Sequence, residues 1–297
     1  MNETVLESTF LLRKRPDPIP HVFPLPEYLA DGDRKEDYED TKAVFQVPWM
    51  GVIAMSFSHY RKFYRTLWRG LRPVFQSAEF VASCNALCRR AEELATELSP
   101  PPLAEVLTAK GYAPRELQNI RNMIAIFHHG NFPYVLLATM ARILLEGKEL
   151  SVCQTATASS GRHAPEVSVP FVLMEAHHAD APTREIYEEI KSALNLPIVN
   201  TDYRALARWP SYFALAWNSL RPRVATPAYE SLVKAMHDEI VSAALTLPNP
   251  GALTGEALRA TALEDGAGDD IQRTVELFQW LLPGLIVNVA YFRAQLM

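Results

Sequence analysis

The chain has 297 residues, of which 48% are hydrophobic and 21% charged, and its formal net charge is -5. That length and composition suffice for two compact units with an apolar core. The negative balance argues against nucleic acid as a partner, because nucleic-acid binding depends on Lys and Arg side chains that neutralise phosphates.

The first residues and the cysteines indicate a cytoplasmic protein. At the N-terminus acidic residues precede a short apolar run and basic residues follow it, the reverse of the order in a signal peptide. No stretch approaches the ~18 uninterrupted apolar residues that span a bilayer. Cys84, Cys88 and Cys153 are too few for a disulfide framework, and their number is odd. We therefore expect neither a membrane segment nor secretion.

Helical spacing runs through the whole sequence. Pro48 ends the first periodic segment, and Pro114 stands where a first helical turn begins. No convincing alternation with a period of two residues is found, so we predict an all-α protein. In chain order, the predicted helices cover residues 36–45, 79–97, 115–128, 132–145, 203–209, 226–244 and 270–282.

The chain contains an internal repeat. Residues 38–73 align without a gap on residues 187–222, at an offset of 149, and 8 of the 36 positions are identical. Average composition would give roughly two identities. A weaker match near the two C-terminal ends has an offset near 151.

This repeat predicts the domain organisation. We expect an N-terminal extension (residues 1–19), a first helical repeat (20–150), a linker rich in Ser, Thr, Ala and Gly (151–168) and a second helical repeat (169–297). The two tandem repeats are expected to pack against each other as an intramolecular pseudo-dimer.

Polar residues that break the symmetry of the repeat are candidates for chemistry. Asp202 stands opposite Ile53, which predicts a carboxylate in an apolar setting with a raised pKa. The alternative is that Asp202 caps the helix that follows it, since Asp is a preferred N-cap residue.

Two further positions differ between the copies. Asn131 lies opposite approximately Leu282, and its amide can hold a water by donating and accepting at once. Trp49 lies opposite Ile198, and its indole can line a pocket and offer its N–H to an anion. A turn or cap role for Asn131 and core packing for Trp49 are the alternatives.

The residues VPW, GN-x-x-Y and TDYRALARWP give the chain a resemblance to the group I 2-haloacid dehalogenases, which act on both D- and L-enantiomers. The resemblance covers residues from about 38 to about 292, and the block at 201–210 is its most specific part. It implies an all-α pseudo-dimer with its site between the repeats, no cofactor and no metal. The expected partners are a small 2-haloacid substrate and a second copy in a homodimer, but neither nucleic acid nor a membrane.

The resemblance also assigns roles by position. The family's catalytic aspartate falls on Asp202 and its water-holding asparagine on Asn131, while Trp49, Tyr134 and Thr201 are assigned to substrate binding. Two pocket positions depart from the family: Val52 stands where a phenylalanine is usual, and Trp280 replaces a tyrosine. Both departures concern the shape of the pocket and hence the range of substrates.

The expected reaction is hydrolytic removal of halide with inversion, by a water that Asp202 activates. A rival scheme makes Asp202 a nucleophile that forms an ester. Backbone amides near the start of the helix at residue 201, or an arginine, would hold the substrate carboxylate. The chain also resembles alkylhydroperoxidase-like helical modules, although the spacing of Cys84 and Cys88 is not the redox Cys-x-x-Cys. A non-catalytic protein that binds a small acid is the remaining alternative.

Overall fold

A computed structural model describes residues 11–297, so most of the predicted N-terminal extension lies outside the described residues. The all-α class is confirmed: these residues form twelve α-helices and a short 3-10 helix, and the one β feature among them is an isolated bridge between Ser77 and Ala158. The helices are α1 (Gly32–Phe45), α2 (Val52–Phe57), α3 (Arg61–Phe75), α4 (Ala78–Glu97), α5 (Ala104–Ala109), α6 (Pro114–Leu145), α7 (Ala181–Leu194), α8 (Thr201–Leu206), α9 (Pro210–Val224), α10 (Pro227–Thr246), α11 (Gly255–Glu264) and α12 (Gly268–Ala294).

We call the chain up to residue 150 and the chain after it the two halves. The first four helices of each half have the same bounds after a shift of 149 residues. Helices α1, α2, α3 and α4 map in this way onto α7, α8, α9 and α10. Local interactions repeat at the same shift. Tyr38 donates to the Leu25 carbonyl as Tyr187 does to the Met174 carbonyl, at 2.9 and 2.7 Å. Each of the helices α1–α4 therefore has a counterpart among α7–α10.

The two long helices, α6 and α12, form the centre of the protein. They pack against each other more extensively than any other pair of helices, and both are buried along most of their length. A helix that is apolar on all sides belongs in the interior. The long helix of each half also contacts the short helix of the other half, α6 against α8 and α12 against α2.

Each long helix continues through an internal proline. The sequence predicts two helices, 115–128 and 132–145, where the structure has one, Pro114–Leu145, with Pro133 inside it. The prediction of a break was therefore wrong. Proline has no N–H and leaves the carbonyl four residues earlier without a donor. That carbonyl belongs to His129, and Arg162 Nη1 donates to it at 2.7 Å.

The second long helix repeats this arrangement with a small difference. It also extends past the predicted end at residue 282, because Pro283 lies inside it. Arg13 Nε donates to the carbonyl of Trp280 at 3.1 Å, one residue beyond the carbonyl that the proline leaves without a donor. Arg13 and Arg162 are themselves 149 residues apart.

Helix α12 is, among residues 11–297, the one helix long and apolar enough to cross a membrane by length and composition. In its most apolar window 89% of the residues are buried inside the protein. Such burial is typical of a core helix.

Candidate active site

The short helix α8 positions Asp202 inside the protein. The helix begins at Thr201, and the residue at its N-cap, Asn200, makes no side-chain cap hydrogen bond. Asp202 is the second residue of the helix, and only 3% of its surface is exposed. Its Oδ1 accepts a hydrogen bond from Asn131 Nδ2 at 2.7 Å. Asp202 is therefore not the N-cap residue, and its carboxylate pairs with an amide from the other half of the chain.

Burial changes the acidity of this carboxylate. Desolvation is the largest influence and raises the pKa of Asp202 to about 6. The hydrogen bond from Asn131, the main-chain N–H of Asp202 and the charge of Arg204 act in the opposite direction. A carboxylate with this pKa is ionised at neutral pH and is a stronger base than an exposed aspartate.

Asn131 lies in the middle of α6, beside a glycine that the packing requires. A Cβ on Gly130 would lie 2.3 Å from Cη2 of Trp49, which is closer than two carbon atoms can approach. Glycine at this position therefore lets the indole of Trp49 pack against the helix backbone next to Asn131.

Aromatic contacts hold Trp49 in place. Its ring stacks on Phe171 with a centroid separation of 5.4 Å and an interplanar angle of 8°. The hydroxyl of Tyr134 donates to the carbonyl of Trp49 at 2.8 Å. Tyr134 thus fixes the main chain just before α2, which carries one wall of the site.

These residues line a cavity of about 30 Å³ that lies between the two halves of the chain. We call it the catalytic cavity. The walls are mostly apolar, and the polar groups are concentrated around Asp202 and Asn131. Its lining residues are Trp49, Gly51, Val52, Ile53, Asn131, Tyr134, Asn200, Thr201, Asp202, Phe278, Leu282 and Leu285.

Six of the seven residues predicted for the site line this cavity. Trp280 does not: it lines a neighbouring cavity, where its ring lies under the guanidinium of Arg13. Leu282 and Leu285, which come from the same helix, occupy the wall where Trp280 was expected. Helical spacing explains the correction, since residues two and five positions further along α12 face a different side from Trp280.

Six lining residues were not predicted for the site: Gly51, Ile53, Asn200, Phe278, Leu282 and Leu285. Ile53 and Leu282 entered the sequence analysis only as the repeat partners of Asp202 and Asn131. Gly51 and Asn200 are separated by the repeat offset, and this relation could have identified them as facing walls. Leu285 gives no signal of its own in the sequence.

Thr201 is another polar residue in the lining of the cavity. Its Oγ1 accepts a hydrogen bond from Arg204 Nη2 at 3.5 Å, which leaves the hydroxyl proton able to donate. Arg204 itself is paired with Glu175 at 2.7 Å and does not line the cavity. In residues 11–297, no group of three or more His, Cys, Asp or Glu side chains is placed to hold a metal ion.

Comparisons with known proteins agree on one kind of relative. The chain is 45% identical over 248 residues to an (R)-2-haloacid dehalogenase of Rhizobium sp. (strain NHG3), covering 83% of this chain and 96% of that protein. It is 34% identical over 281 residues to an (R)-2-haloacid dehalogenase of Pseudomonas putida, covering 92% of each.

A solved structure gives the same result. The complex of a mutant D-2-haloacid dehalogenase with D-2-CPA superposes with a TM-score of 0.82 and 31% identity, and it covers 94% of this chain and 97% of that one. No family model matches the sequence.

Proposed function

This chain belongs to the 2-haloacid dehalogenases, hydrolases that act on carbon–halide bonds, and on that basis we propose that it hydrolyses short 2-haloalkanoic acids with a water that Asp202 activates. The observation that carries this proposal is the buried pair of Asp202 and Asn131, 2.7 Å apart in the lining of a mostly apolar cavity. A carboxylate beside an amide can take a proton from a water that the amide also holds.

The proposed step is a single displacement at C2 of the substrate. Asp202 accepts a proton from the water while the water oxygen forms a bond to C2. The carbon–halide bond breaks on the opposite side, and the halide leaves with the bonding electrons. The product is a 2-hydroxyalkanoic acid of inverted configuration, and Asp202 then returns its proton to solvent.

The protein's contribution is orientation and the exclusion of bulk water. Asn131 uses one amide hydrogen on Asp202, so its second hydrogen and its oxygen can orient the attacking water. The hydroxyl of Thr201 donates to the substrate carboxylate. Trp49 and Val52 give the halide an apolar seat. A positioned base contributes roughly 10²–10⁴-fold to the rate, and the fixed geometry supplies the remainder.

For the stereochemistry of the substrate we propose a preference for the R enantiomer. The sequence predicts activity on both enantiomers, whereas the relatives at 45% and 34% identity are named for the R enantiomer alone. Chloride release from (R)- and (S)-2-chloropropionate, measured separately, decides between these two expectations. Equal kcat/KM values would favour the broader specificity.

The rival ester mechanism is tested by isotope labelling. A single turnover in H₂¹⁸O transfers the label directly to the product if water attacks C2. If Asp202 attacks instead, the label enters the carboxylate of the protein. Labelled Asp202 peptide would therefore refute the direct-water proposal while leaving the dehalogenase function intact.

We also propose that the fold is a duplicated module packed as an intramolecular pseudo-dimer. The equal bounds of α1–α4 and α7–α10 at a shift of 149 residues support it, as does the contact of each long helix with the short helix of the other half. Ile53 and Asp202, which occupy matched positions, line the same cavity. The cytoplasmic location and the homodimer expected from the sequence stay predictions.

A further inference from the structure

A second cavity lies directly beside the catalytic cavity. It has a volume of about 50 Å³ and shares two wall residues, Asn200 and Leu285, with the catalytic cavity. Asn195 and Glu230, also in its lining, are exposed, so the second cavity reaches the surface. The residues of the proposed mechanism leave this space without a function.

The second cavity has a positive charge that the catalytic cavity lacks. No Lys or Arg lines the catalytic cavity, whereas Arg13 lines the second one. Arg13 is held by the Trp280 carbonyl and lies 5.4 Å over the Trp280 ring. Its partner Glu230, at 2.7 Å, has a side chain that is 60% exposed. A carboxylate that enters the cavity can therefore share or replace Glu230 as the partner of Arg13.

A directed chain of hydrogen bonds presents a donor to this space. The hydroxyl of Tyr229 donates to Asn288 Oδ1 at 3.0 Å, and Asn288 Nδ2 donates to the hydroxyl of Tyr203 at 2.9 Å. The hydroxyl proton of Tyr203 then has no acceptor among the described hydrogen bonds. Because all three residues line the second cavity, that proton can be donated to a ligand.

An unpaired acceptor lies at the wall that the two cavities share. Asn200 is 5% exposed, and its Oδ1 is buried without a hydrogen-bond partner. A buried polar atom without a partner is costly, so a ligand that donates to it gains affinity. The second cavity thus offers a cation, a hydroxyl donor and an amide acceptor.

We propose that the second cavity binds the 2-hydroxy acid product as it leaves the catalytic cavity. The product carboxylate pairs with Arg13 and accepts from Tyr203, and the product hydroxyl donates to Asn200 Oδ1. The substrate has a halogen in place of that hydroxyl and cannot donate to Asn200. The site therefore favours the product over the substrate. This inference rests on the proposed function for the identity of its ligand.

The test measures binding of 2-hydroxypropionate to the full chain by calorimetry, together with crystals soaked in the same acid. We expect two molecules per chain, one in each cavity. Propionate lacks the hydroxyl and should bind the second cavity about tenfold more weakly. Arg13→Gln should weaken the second site about tenfold. Glu230→Gln should strengthen it, because the competing carboxylate is removed.

Two further variants protect the test against a failure of folding. Ala193→Phe places a bulky ring in the lining of the second cavity without removing any contact of Arg13, and it should also abolish the second site. Arg61→Gln is the control: Arg61 is another arginine in an ion pair with a carboxylate, but it lines neither cavity.

Density for 2-hydroxypropionate in the catalytic cavity alone would overturn the inference. So would binding to the second cavity that is unchanged in both Arg13→Gln and Ala193→Phe. Failure of the proposed function would be detected in a different measurement, as the absence of halide release from 2-haloacids. Either result can occur without the other.

Discussion

Replacing Asp202 by Asn separates catalysis from stability in a single variant. The amide retains an oxygen that can accept from Asn131, so the local packing and the 2.7 Å hydrogen bond can persist. The variant lacks the base, and we expect halide release to fall by at least about 100-fold. We also expect the fold to become more stable at neutral pH, because a buried charge is removed.

The size of the stability change follows from the pKa of Asp202. Its pKa is raised from 3.8 to about 6, and each pKa unit corresponds to about 1.4 kcal/mol, so the ionised carboxylate costs the folded state about 3 kcal/mol. Below pH 4 the carboxylate is protonated in both the folded and the unfolded chain, and the cost is absent. Between pH 4 and 6 the unfolded chain loses the proton first, and the cost grows. Above pH 6 it is constant.

Urea denaturation of the wild type and Asp202→Asn from pH 4 to pH 8 measures this difference. The variant's advantage in the free energy of unfolding should increase through pH 4–6 and then level off. An advantage that does not vary with pH would refute the reasoning about burial. Near-native halide release by the variant would refute the assignment of Asp202 as the base.

The other predictions concern the neighbours of Asp202. The kcat/KM of the wild type should fall as the pH drops below about 6, where Asp202 becomes protonated. Asn131→Leu should shift this acid limb of the pH profile to higher pH, because the hydrogen bond that lowers the Asp202 pKa is lost. The same variant should slow the reaction about 100-fold. Gly130→Ala should cost about 1–3 kcal/mol in thermal or urea unfolding, since its Cβ would overlap the ring of Trp49. Tyr134→Phe should cost about 1–3 kcal/mol, because the Trp49 carbonyl loses its donor.

The prediction for Gly130→Ala has a matched control variant. Gly268→Ala introduces the same methyl group at a site where its nearest neighbour, Leu263 Cδ2, is 3.5 Å away, and it should leave stability nearly unchanged. An acid limb at the same pH in Asn131→Leu and the wild type would contradict the role of that hydrogen bond. Gly130→Ala as stable as Gly268→Ala would contradict the close approach of Trp49.

The sequence predicted the helical class, and six of the seven residues it predicted for the site line one cavity, because both results depend on local patterns and on the repeat. The offset of 149 residues paired Asp202 with Ile53, and the two line one cavity. The offset near 151 used at the C-terminal end paired Asn131 with approximately Leu282, and this pairing was less accurate. The long helices end at residues 145 and 294, again 149 apart, which makes Trp280 the counterpart of Asn131.

The break predicted at residues 129–131, just before Pro133, and the helix end predicted at residue 282, just before Pro283, could not have been avoided from local sequence. Proline ends most helices because its ring clashes with the preceding turn and its missing N–H leaves a carbonyl unpaired. Here Arg162 donates to the His129 carbonyl in place of the missing N–H, and Arg162 lies in the segment predicted to be a linker. A compensating group so far away along the chain leaves no trace in the pattern around the proline.

Each of the two arginines that hydrogen-bond to a long helix lies in the half that does not contain that helix. Arg13 lies in the first half yet binds α12 of the second, while Arg162 lies in the second half yet binds α6 of the first. The arginine near the start of each half thus donates a hydrogen bond to the long helix of the other half. A fragment cut between the halves would lack the arginine that binds its own long helix, so we expect neither half to fold alone.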